Sequence, residues 1–310
     1  MEVNRSHTEG RDPMKTETLD RLRSRIVKID AMPAIPVILR PLLRCMDQPV
    51  EQVDMERIVE LVSYDKSIAA QCIRMANSAL FMRSMPAETV RSAVMSLGMW
   101  RVRDLLFSNS LSKVIPANRW VVDPAVFWRH SLGVALVCRK FAEMIEYPDP
   151  EKAYLAGLLH DIGVLVNCMV VPEEFRATME KAMHEQIPLD EAEQATLGFT
   201  HSDSGRILAE AWKIPADIAD AIELHHQIGD PERGGPLVAL VNLSDLLCRM
   251  RDLGYGYYEP RQVDFANEPG WLYLIMKFPS MAEIDLARFT FSLDEYAKEV
   301  SDLVATVFSS

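Results

Sequence analysis

Apolar residues recur at intervals of three and four along nearly the whole of this 310-residue chain. That spacing places them on one face of an α-helix, whereas strand-like alternation of useful length is missing. The dipeptides Asp123-Pro124 and Asp149-Pro150 each put a capping carboxylate before a proline at the first helical position. Thr200 and Asp203 have the spacing of a capping box. Together these features predict an all-α protein.

Breaks in the helical pattern divide the chain into four parts. The polar stretch 1–16 is predicted to be a disordered tail, and residues 17–115 form an N-terminal helical half. Pro116 ends that half, and a second helical half follows over 116–250. We expect a C-terminal extension over 251–310. It would consist of a loop that contains short helices, followed by a terminal helix capped at Ser292.

Composition excludes several classes of partner. The net charge of −12 argues against non-specific nucleic-acid binding, which depends on neutralising phosphates, and against attachment to an anionic membrane. It leaves room for a small anionic ligand at a locally positive site. The N-terminus lacks a signal-peptide core, and apolar runs such as 164–171 are too short to span a bilayer.

The cysteines indicate the compartment. Five cysteines are odd in number and widely spaced, and no CxxC pair occurs. A disulfide framework or a thiolate zinc site is therefore not expected. The sequence predicts a cytoplasmic protein with no membrane partner.

Five histidines and two aspartates on predicted helices stand out as candidate ligands: His130, His160, Asp161, His201, His225, His226 and Asp245. Any one of them alone is more typical of a hydrogen-bonded core residue. Adjacent helical residues point about 100° apart, so a neighbouring pair can flank one ion, or a carboxylate can bridge two. Burying so many ionisable groups costs several kcal/mol, roughly, unless something compensates. A divalent metal would supply that compensation.

The order His130, His160-Asp161, Asp245 resembles the H…HD…D pattern of the HD-domain metal-dependent phosphohydrolases. The preceding residues narrow the resemblance. MPAIP at 32–36, LVSYDKSIAAQCIRMANSALF at 61–81 and AVMSLGMWRVRDLL at 93–106 look like the N-terminal half of the HDOD domain. The resemblance covers roughly residues 20–250 and implies an HDOD fold, with an N-terminal helical subdomain packed on an HD-like, metal-binding half.

This resemblance also implies a ligand set. His130, His160, Asp161 and Asp245 would surround one ion, and His201, His225 and His226 a second, with Asp161 bridging. A mixture of imidazole and carboxylate without thiolate suits Fe, Mn, Ni, Zn or Co. If the protein is an enzyme, Asp161 is its expected catalytic residue.

Two departures limit what carries over from the related HD-GYP phosphodiesterases. Val164 stands where that family has a lysine, and QIGDPERGGPLVAL follows the His225-His226 pair in place of a GYP-containing segment. Hydrolysis of cyclic di-GMP is therefore not supported. Val126 replaces a glutamate that would hold a third ion, so we expect two ions at most.

Three functions remain open from the sequence. The first is a bacterial regulatory module that carries the metal site and binds a nucleotide or a signalling protein. The second is an active phosphohydrolase of a nucleotide or another phosphoester, in which two divalent ions would attract phosphate into an acidic protein. The third is a di-iron oxygenase or redox sensor. The sequence favours the first, because Val164 removes the lysine expected near a phosphate.

Overall fold

The chain is described from a computed structural model. It describes residues 18–24, 55–64, 66–78, 86–99, 101–102, 105–106, 117–228, 231–250, 253–255, 264, 267–285, 289 and 300. Within these ranges every regular element is an α-helix or a 3₁₀-helix, which confirms the predicted all-α class. The predicted tail over 1–16 and most of the predicted terminal helix lie outside the described residues.

Among the described residues between 55 and 97, the N-terminal half forms three α-helices: α1 (Met55–Tyr64), α2 (Lys66–Ala76) and α3 (Val90–Leu97). They pack against one another. The Asn77-Ser78 pair follows α2. The Asn77 side chain donates to the Ala87 carbonyl oxygen at 2.9 Å and accepts from the Ala87 amide at 2.7 Å. This motif therefore fixes the chain between α2 and α3.

The second half begins with a 3₁₀-helix, Ala117–Arg119, followed by eight α-helices: α4 (Pro124–Met144), α5 (Pro150–Leu159), α6 (Ile162–Val170), α7 (Pro172–Glu185), α8 (Leu189–Thr196), α9 (His201–Ala211), α10 (Ala216–Leu224) and α11 (Pro231–Met250). A kink at Gly235, whose backbone is not helical, interrupts α11. In the extension lie α12 (Pro269–Lys277) and a 3₁₀-helix, Pro279–Glu283.

The predicted helix starts are confirmed at three places. Asp123 accepts a hydrogen bond from the Ala125 amide at 2.7 Å, and Asp149 accepts one from the Lys152 amide at 2.9 Å. The capping box before α9 is also present. These caps satisfy amides that a helix N-terminus leaves without partners, so they set where α4, α5 and α9 begin.

At the centre of the second half, α4 packs against α5 and α11. The stretch Pro150–Val170, which contains α5 and α6, is long and apolar enough to cross a membrane, but 94% of its most apolar window is buried inside the protein. It is a core element of this fold. The stretch is two helices rather than one, and the break between them lies at residues 160–161.

Two glycines allow α6 and α9 to approach very closely. A Cβ atom on Gly163 would lie 1.7 Å from the His201 carbonyl oxygen. One on Gly205 would lie 3.2 Å from the Gly163 amide nitrogen and 2.7 Å from Ile222 Cγ2 on α10. Any side chain larger than hydrogen at residue 163 would collide with backbone. The contact therefore fixes the start of α9 against the start of α6.

Candidate metal centre

The interior of α4 supplies the first imidazole. His130 is 1% exposed, and its Nδ1 lies 2.8 Å from the Leu253 carbonyl oxygen. A carbonyl oxygen only accepts, so Nδ1 carries the hydrogen of this bond. The other ring nitrogen, Nε2, faces a buried cluster of imidazoles and carboxylates.

The His160-Asp161 pair lies at the junction of α5 and α6, not within a helix as the sequence predicted. The His160 Nδ1 donates to the Gly157 carbonyl oxygen at 2.7 Å, which is the acceptor that a continuing helix would offer to the Asp161 amide. A side-chain bond of this local kind competes with the helical ladder. The break turns the Asp161 carboxylate into the centre of the cluster.

A similar arrangement places His225 and His226 just beyond the last residue of α10 rather than inside it. The His225 Nδ1 donates to the Ile222 carbonyl oxygen at 2.9 Å. Asn242, on α11, donates its side-chain amide to the His225 carbonyl oxygen at 2.7 Å. These contacts orient the His225 ring and hold the backbone at the end of α10.

His201 is the first residue of α9 and is 2% exposed. Its Nδ1 donates to Glu193 Oε2 at 2.7 Å, and its backbone amide donates to the same oxygen at 2.8 Å. The Asn167 amide donates to the other carboxylate oxygen of Glu193 at 2.9 Å. A fully buried carboxylate therefore holds the ring of His201 in one orientation.

Asp161 is the centre of the arrangement, because its two oxygens face different imidazoles. Asp161 Oδ2 lies 3.4 Å from His130 Nε2 and 3.2 Å from His160 Nε2. Asp161 Oδ1 lies 3.3 Å from both His201 Nε2 and His225 Nε2. One carboxylate is thus shared between two groups of nitrogens, as in a bridging ligand.

The candidate ligand atoms fall into two groups, and within each group they all lie within 4.8 Å of one another. The first cluster consists of His130, His160 and Asp245. The second cluster consists of Asp161, His201, His225 and His226. Asp245 belongs to the first cluster through its Oδ1, which is 3.3 Å from His130 Nε2. The structure thus brings all seven sequence-predicted residues together.

The orientation of the rings fits a cation. Four imidazoles use Nδ1 to donate outward, so their Nε2 atoms converge: His130, His160, His201 and His225. Converging nitrogens repel one another unless a proton or a metal ion lies between them, and His130 Nε2 is only 3.2 Å from His160 Nε2. Histidine ligands are commonly held through an Nδ1–H bond to a carbonyl or carboxylate, as here.

Electrostatics favour positive charge inside the first cluster. Burial alone would lower the pKa of His130, but hydrogen bonds to Asp161 and Asp245 raise that pKa to about 9. Burial would raise the pKa of Asp161, yet the charge of His160 and hydrogen bonds from His130 and His160 hold it well below its usual value. The carboxylates therefore stay ionised and attract a cation.

The second cluster contains one basic and two weakly basic imidazoles. Burial opposes the protonation of His201, but Glu193 and Asp161 together raise its pKa well above the ordinary value. Burial lowers the pKa of both His225 and His226. A neutral imidazole with a free lone pair is the form that binds a metal, so His225 and His226 are ready to act as ligands near neutral pH.

Four residues around the cluster were not found from the sequence: Asn167, Glu193, Arg249 and Tyr255. Arg249 approaches Asp245 Oδ2 at 2.6 Å, and its spacing of four residues was a usable signal. The Tyr255 hydroxyl donates to Asp161 Oδ2 at 2.7 Å. Glu193 lies in a glutamate-rich stretch that is typical of a solvated helix face, and Tyr255 lies in a stretch without helical periodicity. The sequence therefore does not indicate that either residue contacts the cluster.

A cleft of about 270 Å³ adjoins the second cluster, and the partly buried His226 is one of its walls. Arg206 lines it but forms ion pairs with Asp220 and Glu223, and its Nε donates to Glu210 at 2.9 Å. Arg23 pairs with the same Glu210 at 3.5 Å. Both arginines that line this cleft therefore already pair with carboxylates.

The helical architecture and the clustered imidazoles and carboxylates define a protein of the HD-domain class. Comparison with known families narrows this class. The family profile of the HDOD domain matches residues 32–228, which is more than half of the chain. The chain belongs to the HDOD domain family.

Solved structures share the fold. An HDOD domain protein of unknown function from Geobacter sulfurreducens is 26% identical with a TM-score of 0.77, covering 95% of this chain and 99% of that one. A candidate phosphohydrolase from Shewanella amazonensis is 22% identical with a TM-score of 0.65, covering 92% and 98%. A candidate signal transduction protein from Marinobacter aquaeolei is 22% identical with a TM-score of 0.72, covering 94% and 65%.

One curated relative is longer than this chain and has no assigned activity. An uncharacterized protein from Treponema pallidum is 24% identical over 247 residues, which is 77% of this chain. The match covers 46% of that relative, so this chain spans about half the length of the curated relative that it matches.

Proposed function

We propose that the protein is a regulatory HDOD module that binds two divalent transition-metal ions. His130, His160 and Asp245 would hold the first ion together with Asp161, and His201, His225 and His226 would hold the second. Asp161 would bridge them. The carrying observation is the direction of the rings: four Nδ1–H groups donate outward, and four Nε2 atoms converge on the two oxygens of one carboxylate.

The donor chemistry supports transition metals rather than calcium or structural zinc. Imidazole and carboxylate donors suit Fe, Mn, Ni, Zn or Co. The cysteines that the structure describes are Cys72, Cys138, Cys168 and Cys248, all free and buried. Free cysteines are typical of a reducing compartment, so we propose a cytoplasmic location.

The surroundings of the site favour a regulatory role over efficient catalysis. Among the seven ligand candidates, six are at most 4% exposed, and only His226 is partly buried. Val164, at the position where the resemblance to the HD-GYP phosphodiesterases implies a lysine, is 1% exposed and lies in the core. A phosphoester in the adjoining cleft would meet arginines that already pair with carboxylates.

The partner of such a module would be a nucleotide or a signalling protein. Among the solved relatives, one is a candidate phosphohydrolase and another a candidate signal transduction protein, so the fold alone does not select the function. The cleft beside His226 is the feature that supports a small ligand.

A phosphohydrolase is the second candidate, because the same cleft leads to His226 and hence to the second cluster. Bound divalent ions lower the pKa of water and stabilise the negative charge of a phosphoryl group. The residues themselves would orient the ions, and Asp161 would be the residue whose loss abolishes activity.

Elemental analysis of the purified full chain tests the two-ion site. We expect about two transition-metal ions per chain in the wild type and a loss of most of them in Asp161→Ala. The matched control is Glu180→Ala, which removes an exposed carboxylate on α7 and should leave the metal content unchanged. Wild-type protein that remains metal-free after anaerobic purification and reconstitution would refute the proposal.

A turnover assay then separates module from enzyme. The manganese-loaded chain is incubated with nucleotides, cyclic dinucleotides and aryl phosphates, with His160→Ala as the reference for contaminating activity. The regulatory proposal expects no turnover above that reference. Turnover that falls by orders of magnitude in His160→Ala would instead establish the phosphohydrolase.

A further inference from the structure

The short stretch 253–255, which follows α11, contacts two of the candidate ligands. The Leu253 carbonyl oxygen accepts the hydrogen bond from His130 Nδ1 at 2.8 Å. Two residues further on, the Tyr255 hydroxyl donates to Asp161 Oδ2 at 2.7 Å. The Tyr255 ring lies 4.7 Å from the His130 ring, centre to centre. This stretch therefore lies directly against the first cluster.

The Tyr255 hydrogen bond ends on the oxygen that faces the first cluster. Asp161 Oδ2 is also the oxygen nearest to His160 Nε2, at 3.2 Å. A carboxylate oxygen has two lone pairs, so Oδ2 has one direction for the phenol and one for the cluster. Once Oδ2 is held in this way, planarity of the carboxylate directs Oδ1 toward His201.

We propose that Tyr255 is a positioning residue of the metal site: it orients the bridging carboxylate of Asp161, and through it the stretch 253–255 is coupled to occupancy of the first cluster. This inference rests on the two-ion site proposed above. It adds a residue of the C-terminal extension to that site, and it gives the extension a means of responding to the ions.

The coupling follows from linkage. If Tyr255 helps to hold Asp161 in the geometry that binds an ion, a bound ion must equally hold Tyr255 in place. Leu253 belongs to the same unit, because its amide donates to the Cys248 carbonyl oxygen at 3.0 Å while its carbonyl accepts from His130. Amide exchange of Leu253 is therefore a direct reporter of the stretch.

Tyr255→Phe isolates the proposed role. The substitution keeps the ring that packs on His130 and on Phe127, and it removes only the hydroxyl. Tyr273→Phe is the matched control, because Tyr273 lies on α12 with its ring 5.8 Å from Lys277 Nζ. Circular dichroism of both variants is the check that they fold like the wild type.

The first experiment titrates Co²⁺ into the metal-free full chain and follows its visible absorption. His226→Ala serves as a background in which the first cluster dominates, and Asp245→Ala as one in which the second dominates. Adding Tyr255→Phe should weaken Co²⁺ binding about tenfold in the His226→Ala background. It should weaken it by less than threefold, roughly, in the Asp245→Ala background, since Oδ2 faces the first cluster.

The second experiment measures hydrogen exchange in a peptide that spans 251–256. Co²⁺ should slow its exchange in the wild type and in Tyr273→Phe, but not in Tyr255→Phe. The peptide over α12 is the internal reference. Equal affinities with and without the hydroxyl, or exchange that Co²⁺ accelerates, would overturn the role of Tyr255. Failure of the wild type to bind Co²⁺ would overturn the two-ion site itself.

Discussion

At the scale of single residues, Glu193 decides how His201 presents its free nitrogen. The carboxylate is fully buried and accepts from both the ring and the backbone amide of His201. Asn167 steadies the other oxygen, and Ser204 donates to the Asn167 side-chain oxygen at 2.8 Å. This chain of bonds makes His201 more basic and keeps its Nε2 directed at Asp161.

We expect Glu193→Gln to weaken binding at the second cluster by about 10–100-fold, because outer partners of ligating histidines contribute to that extent. A neutral amide still reaches the ring but no longer supplies negative charge. Competition with a chromophoric chelator measures the affinity. Glu191→Gln, an exposed neighbour on α8, is the control and should behave like the wild type. A variant with wild-type affinity would show that the charge of Glu193 plays no part.

At the scale of helices, most of the architecture could be predicted from the sequence. Apolar spacing and the cap residues predicted α4, α5 and α9, because helix starts depend on local chemistry. The breaks at 160–161 and after Leu224 escaped prediction, since the His160 and His225 rings bond to carbonyls whose availability depends on the folded site. The candidate ligands point into the cluster because of those breaks, and not because they occupy adjacent positions on one helix.

The candidate metal site, too, could be predicted from the sequence only in part. The candidate ligands were predictable as a set because their residue types and their order in the chain are distinctive. Their supporting residues were not, because the contact between Tyr255 and Asp161 joins residues 94 positions apart. Nothing in the local sequence of residues 253–255 indicates a contact of that range.

The contact between α6 and α9 yields a prediction at this scale. Gly163→Ala should lower the free energy of unfolding by about 3 kcal/mol or more, because its Cβ would meet the backbone carbonyl of His201. Gly205→Ala should cost about 1 kcal/mol, since the nearest atom belongs to the movable side chain of Ile222. Urea denaturation of the metal-free proteins measures both. A cost of about 1 kcal/mol or less for Gly163→Ala would mean that α9 shifts freely against α6.

At the scale of the whole molecule, the candidate ligands come from five separate places in the fold. They lie in α4, between α5 and α6, at the start of α9, after α10 and in α11. Ions bound at these residues would connect helices that otherwise meet through apolar packing and a few polar contacts, such as the ion pair between Arg206 on α9 and Asp220 on α10. Metal binding and folding of this half should therefore be tightly linked.

Removal of the ions should lower the melting temperature by several degrees. An ion that binds only the folded state stabilises it by about 4 kcal/mol when its free concentration is a thousand times the Kd. Scanning calorimetry before and after chelation measures the change. His201→Ala should show part of the loss without chelator, whereas His184→Ala, an exposed histidine on α7, should not. An unchanged melting curve after verified metal removal would contradict the linkage.

The apolar stretch Pro150–Val170 also bears on whether the nascent, unfolded chain partitions into a membrane. While it leaves the ribosome, this stretch has the length and hydropathy of a membrane-crossing helix. His160 and Asp161 lie at its middle, and an ionised aspartate at that depth costs about 2.5–3.5 kcal/mol on insertion scales. The carboxylate proposed to bridge two ions thus also discourages the nascent chain from partitioning into the bilayer.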